Sequence, residues 1–220
     1  MKVIDELFAT ANWTQTRREE IANTLSHAFG LAAAIVATPF LCFAAARQPS
    51  QLFFVGTLIF VATMWLLYLC STLYHAWPQT RWKCALQILD HVAIFLLIAG
   101  TYSPFTLGPM RGALGWTMFG LIWFLAAAGI VFKLRTGVRW KKVSLILYLG
   151  MGWVILIAFR QFMLVVPIQT VIWLLAGGIA YTVGVIFFSN ERRRYSHFVW
   201  HLFVLAGTAC HFCAIFSCAA

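Results

Sequence analysis

The chain has 220 residues, of which 62% are hydrophobic and only 10% charged, a balance that excludes an ordinary soluble globular domain and places the chain in lipid. Its formal net charge of +10 would raise the question of nucleic acid in a soluble protein. Here the charges lie between long apolar runs, which points to a membrane and away from nucleic acid.

The segment 1–20 carries Asp5, Glu6, Arg17, Arg18, Glu19 and Glu20 ahead of any long apolar run, so it lacks the layout of a cleavable signal peptide and the first helix is expected to stay in the membrane. Val3, Ile4, Leu7 and Phe8 allow either a short amphipathic helix on the surface or a loosely ordered leader. A membrane helix needs roughly 20 mostly apolar residues. Seven runs meet that need, at about 21–45, 52–75, 85–107, 113–133, 141–163, 168–189 and 197–218. The expected fold is all-α: a seven-transmembrane helix bundle forming one domain over 21–220, after a short cytoplasmic segment 1–20.

Orientation follows from the basic residues. Lys2, Arg17 and Arg18 precede the first helix, Arg81 and Lys83 follow the second, Lys133, Arg135, Arg139, Lys141 and Lys142 follow the fourth, and Arg192, Arg193 and Arg194 follow the sixth. These thirteen share one side; only Arg47, Arg111 and Arg160 lie on the other. The positive-inside rule then puts the N-terminus in the cytoplasm and the C-terminus outside. G-protein-coupled receptors run the opposite way, and that class is disfavoured. Of the six cysteines, Cys42, Cys70, Cys210, Cys213 and Cys218 fall in or at the ends of predicted helices and Cys84 at a helix start, which implies no disulfide framework.

Ionisable side chains are costly within a membrane and mark functional sites by default. Asp90 is the acidic residue that lies clearly within a predicted span, and five of the six histidines fall toward cytoplasmic helix ends. Ser71 and His75 occupy the last turn of the second helix, Asp90 lies about two turns into the third, and His197 and His201 open the seventh. Residues four apart share a helix face, so Ser71 points with His75, and His197 with His201. Three imidazoles and one carboxylate therefore converge at one depth. A catalytic zinc requires this set: three nitrogen ligands, an open position for water, and a base near that water. The HxxxH pair resembles the first part of a zincin helix but encloses Phe198, Val199 and Trp200, with no glutamate, so the base has to be Asp90. An HxxxH pair can also be two histidines packed against neighbouring helices.

Other features read as packing. Pro104 is expected to kink the third helix, with Tyr102 and Ser103 satisfying the freed backbone groups. Gly150 and Gly152 in the fifth helix, and Gly177, Gly178 and Gly184 in the sixth, permit close helix approach.

The segments Glu20-Ile-Ala-Asn23-Thr-Leu-Ser26-His27, Ser71-Thr-Leu-Tyr-His75, Asp90-His-Val-Ala-Ile and His197-Phe-Val-Trp-His201, with His211 ten residues on, occur in that order. In this the chain resembles the hemolysin III family, from Glu20 onward. That family is similar to the progestin and adipoQ receptors and, more distantly, to alkaline ceramidases. The resemblance implies that His75, His197 and His201 ligate Zn2+, that Asp90 holds the zinc-bound water and that Ser71 polarises a substrate carbonyl. It also implies an N-terminus inside and, with the charge count, a bacterial inner membrane. The segment 1–20 does not resemble the long N-terminal cytoplasmic domain of the adipoQ receptors, so no hormone ligand is expected. Glu20, Asn23 and His27 match the motif at the head of the first helix and are expected to support the site by bonding loops or helix ends around it. His211, about 15 Å along the helix from His201, is expected to pack or lie at an interface, as is His91, which points away from Asp90.

Three functions follow as expectations. The first is a zinc-dependent hydrolase of lipid amides or esters, ceramidase-like, acting on a membrane lipid or fatty-acyl substrate. The second is a sensor or regulator of membrane lipid composition with structural zinc. The third is a pore-forming cytolysin, which the near absence of ionisable groups from the outer half disfavours.

Overall fold

The computed structural model describes residues 2–9, 13–190 and 193–219; Arg192, counted above among the inside charges, lies outside them. All regular structure among the described residues is helical. The elements are α1 (Lys2–Ala9), α2 (Arg17–Ala46), α3 (Gln51–Ala76), α4 (Arg81–Leu107), α5 (Ala113–Thr136), α6 (Lys141–Gly152), a 3-10 turn (Val154–Ala158), α7 (Phe159–Val165), α8 (Ile168–Ser189) and α9 (Ser196–Ala219). Among the described residues seven spans are long and apolar enough to cross a membrane, the fifth being Lys141–Val165, made of α6, the 3-10 turn and α7.

Local chemistry explains where the helices begin. Thr16 and Glu19 form a reciprocal capping box: the Glu19 N–H donates to Thr16 Oγ1, and Glu19 Oε2 accepts from the Thr16 N–H at 2.9 Å. The first long helix therefore starts at Arg17 and not near 21, which carries Glu20 into the helix. Ser50 caps α3 by accepting from the Phe53 N–H at 3.3 Å.

The segment before the bundle is a docked helix. Leu7 is buried against Cys84 and Ile88 of α4 while Phe8 stays exposed, so α1 takes the amphipathic form and lays part of its apolar face on protein. Around the bundle, α3 lies between α2 and α4, α9 lies between α2 and α8, and α4 also packs on α5; the fifth span touches the others sparingly. Gly184 lets α8 meet α9, because a Cβ there would overlap Phe203 and Trp200. Gly150 and Gly152, expected to serve close packing, have nothing within 4 Å of such a Cβ. They sit instead just before the break in the fifth span, where glycine's low helix propensity is the relevant property.

Pro104 does not end α4, which continues to Leu107. Ser103 donates to the Ala99 carbonyl at 3.0 Å. Tyr102 turns outward to the fifth span, where its hydroxyl is shared between the carbonyls of Met151 and Gly152 and accepts from the Ile155 N–H at 3.0 Å. The backbone groups it satisfies are therefore those of the broken span and not those freed by Pro104. In hydrocarbon an unsatisfied backbone group costs several kcal/mol, so Tyr102 is what makes the break tolerable.

Tyr102→Phe should lower the unfolding free energy in mixed micelles by about 1–3 kcal/mol, since it leaves buried backbone groups unpaired while preserving shape. Reversible denaturation of the variant beside wild type measures it, and equal stabilities would show that water serves those groups.

Candidate metal centre

The centre is assembled from helix ends. His75 stands in the last turn of α3, His197 and His201 occupy the first two turns of α9, and their ring centroids form a near-equilateral triangle with sides of 5.0, 4.9 and 4.8 Å. One ligand atom from each lies within 4.8 Å of the others, so the three could hold a metal ion. Ligands of a tetrahedral ion with metal–nitrogen bonds of about 2 Å stand about 3.3 Å apart, a spacing that small rotations of the rings reach.

The outer nitrogens of two of these rings are engaged. His75 Nδ1 lies 2.7 Å from Glu20 Oε2. His201 Nδ1 lies 3.0 Å from Ser26 Oγ and 3.3 Å from the Asn23 carbonyl. A carboxylate and a carbonyl can only accept, so both Nδ1 atoms carry the proton and both Nε2 lone pairs are left for a metal. His75 Nε2 and His197 Nε2 are buried with no hydrogen-bond partner. Leaving such atoms unpaired in an apolar interior is unfavourable, and a shared cation resolves both.

Glu20 and Asn23, expected to bond loops or helix ends, thus bond the candidate ligands themselves. Asn23 also donates to Gln15 Oε1 at 2.7 Å. His27 stacks on His201 with ring centroids 3.7 Å apart and 10° between planes, and neither of its nitrogens has a partner.

Sequence reasoning treated Lys83 as one more cytoplasmic surface charge. It is buried, with 1% of its surface exposed. Its Nζ lies 3.0 Å from Glu20 Oε1 and donates to the carbonyls of Tyr74 at 2.9 Å and Trp77 at 3.1 Å. It therefore neutralises Glu20 and caps α3 at once. A signal was available: Glu20 at a membrane boundary needs a cation at its own depth, and Lys83 opens the helix that starts there.

Beneath the histidines lies a cavity of about 1460 Å³, its open mouth included. Ser71, Asp90, His197 and His201 line one end of it, and Asp90 is the acidic residue on its wall. The Ser71 hydroxyl neighbours the Asp90 carboxylate but makes no hydrogen bond of good geometry. His91 and His211, expected to pack or lie at an interface, also line the cavity. The space is wide enough for adjacent residues of α4 to reach it, and long enough to follow α9 for ten residues.

A seven-helix membrane protein with a buried three-histidine centre over an apolar cavity is the class that fold and site define. Residues 15–212 match the model of the family described as Haemolysin-III related. The chain is 43% identical over 204 residues to the "Hemolysin-3 homolog" of Bacillus subtilis (strain 168), covering 92% of this chain and 96% of that protein, and 43% identical over 204 residues to "Hemolysin-3" of Bacillus cereus, covering 92% and 93%. It is 28% identical over 219 residues to the human "Monocyte to macrophage differentiation factor", covering 94% and 87%. The chain belongs to the hemolysin III family and is a multi-pass membrane protein.

Glu20→Gln should weaken binding of a divalent transition-metal ion by about 10–100-fold, because it removes the charge that orients and polarises His75. Chelator competition on detergent-purified protein reads this directly; unchanged affinity would mean that Glu20 serves the helix ends alone.

Proposed function

We propose that this protein is a zinc-dependent hydrolase of lipid amides or esters, with its N-terminus and its centre on the cytoplasmic side of a bacterial inner membrane. The observation that carries the reading is the convergence of three imidazoles, two with free Nε2 atoms, beside one carboxylate and one unbonded hydroxyl at the head of an apolar cavity. Two engaged and neutral imidazoles plus a third suit zinc, and three protein ligands leave the open position that distinguishes a catalytic from a structural site. Asp90 falls outside the ligand set, which fits a base and not a fourth ligand.

Zinc held by His75, His197 and His201 would supply Lewis acidity and would lower the pKa of a water to about 7. The remaining work belongs to the chain. Asp90 orients the water, takes its proton as it attacks the carbonyl carbon, and returns that proton to the departing amine or alcohol. Ser71 donates a hydrogen bond to the carbonyl oxygen as negative charge grows there. The apolar wall below receives the acyl chain and keeps bulk water from it, which strengthens both interactions. Glu20, with Lys83 behind it, and the Asn23 carbonyl with Ser26 hold the imidazoles in one tautomer.

Elemental analysis together with turnover of a fluorescent ceramide analogue tests the reading. One zinc per wild-type chain is expected, lost in His201→Ala, and retained in Asp90→Ala with turnover down by at least about a hundredfold. Wild type without zinc would overturn the mechanism. Zinc without turnover in wild type would favour a lipid sensor with structural zinc.

The name of the Bacillus cereus relative, Hemolysin-3, supplies the pore reading. The expected result is that purified protein leaves a self-quenched dye inside phospholipid vesicles. Rapid release that survives zinc chelation would favour the cytolysin.

A further inference from the structure

Unpartnered polar atoms lie at both ends of the cavity. Of the buried side-chain nitrogens and oxygens that lack a hydrogen-bond partner, those on cavity residues are His27 Nδ1 and Nε2, Ser71 Oγ, His91 Nδ1, His197 Nε2 and His211 Nδ1. All but the last gather around the metal centre. His211 stands ten residues after His201 on α9, about 15 Å away along the axis.

Between the two ends the wall is apolar or already satisfied. Thr101, Thr106 and Thr182 donate to carbonyls of their own helices, and Tyr181 is paired with Thr208 at 2.6 Å. Val204, Phe105, Phe162 and Val171 supply apolar surface. The Thr hydroxyls can still accept, but among the described cavity residues of the far half His211 is the one with a buried polar atom that makes no hydrogen bond at all.

Its environment sets the kind of partner it can take. Gly177 of α8 admits the ring, since a Cβ there would overlap His211 Cδ2, and the edge toward Gly177 is the Nε2 edge. The Leu174 carbonyl lies near the imidazole on the same stretch of α8, and the ring's Nδ1 makes no hydrogen bond. The ring of Tyr181 lies 5.4 Å off, centroid to centroid, and holds the imidazole in place. An imidazole nitrogen donates or accepts according to its tautomer, and a hydroxyl can do either, so a hydroxyl suits it in both forms. A methyl end would leave the nitrogen unpaired.

We infer that the far end of the cavity is a hydrogen-bonding subsite for a hydroxyl carried on the acyl chain, about a dozen carbons from the carbonyl. The inference rests on reading the cavity as an acyl-chain site and adds a specificity to it: hydroxylated chains of one length are selected over plain ones. A site built to bond a hydroxyl disfavours the analogue that lacks it, because the protein group is then left without a partner.

The test is equilibrium displacement of a fluorescent fatty acid from the detergent-purified full chain by dodecanoate, 12-hydroxydodecanoate and 6-hydroxydodecanoate. Wild type should bind the 12-hydroxy chain roughly five- to tenfold tighter than dodecanoate, the yield of one buried hydrogen bond, and should show no such gain with the 6-hydroxy chain. His211→Phe should abolish the preference while keeping dodecanoate affinity. His211→Asn, whose side-chain amide can both donate and accept, should restore part of it. Equal affinities in wild type, or a preference that survives in His211→Phe, would overturn the subsite and leave the acyl-chain cavity standing. Wild type that binds none of the three would overturn both. The wild-type comparison decides the matter even if a variant fails to fold.

Discussion

A single carboxylate joins three helix ends. Glu20 of α2 faces His75 Nδ1 of α3 through one oxygen at 2.7 Å and Lys83 Nζ of α4 through the other at 3.0 Å. None of these groups could be buried at a membrane boundary alone, since a buried charge without a partner is strongly unfavourable. Together they neutralise one another and bring the ends of α2, α3 and α4 to a common depth. The same contact decides the tautomer of His75 and aims its free nitrogen at His197 and His201. Structural and chemical demands are met by one group, so Glu20 cannot be described as purely one or the other.

The rest of the molecule extends this logic along the membrane normal. Buried polar side chains gather at one end, some of them bonded and some, such as His27 and Ser71, without a hydrogen-bond partner. Asn23, Ser26 and Glu20 serve the histidines there, while most hydroxyls farther along are folded back onto their own helices. The fifth span is the exception, a helix broken at Val154–Ala158. Tyr102 reaches across from α4 to supply what the broken backbone lacks, which allows an irregular stretch beside a cavity, the setting in which irregular backbone at membrane depth is stable. An apolar chamber with the histidine cluster at its head and His211 at its foot is the result.

Much of this was legible in the residues. Seven apolar runs, the i, i+4 pairs Ser71–His75 and His197–His201, and the lone acid Asp90 are one-dimensional signals, because helix period and membrane thickness convert sequence position directly into face and depth. That conversion is why sequence position alone places three histidines of two distant helices together, as they stand in the structure. Helix caps, by contrast, depend on side chains meeting their own backbone, and the Thr16–Glu19 box that carries Glu20 inside α2 lies in the segment 1–20 expected to precede the first span.

The sequence by itself determined the number of long apolar spans and which residues, the three histidines among them, meet at one depth. Only the tertiary structure decided that Lys83 is buried against Glu20, that Gly150 and Gly152 precede a break and do not pack, and that His91 and His211 line the cavity. The reason is geometric. Depth follows from counting residues along one helix, whereas the partner across a helix pair depends on azimuth and on which neighbour is adjacent, and both are set by packing among all seven spans.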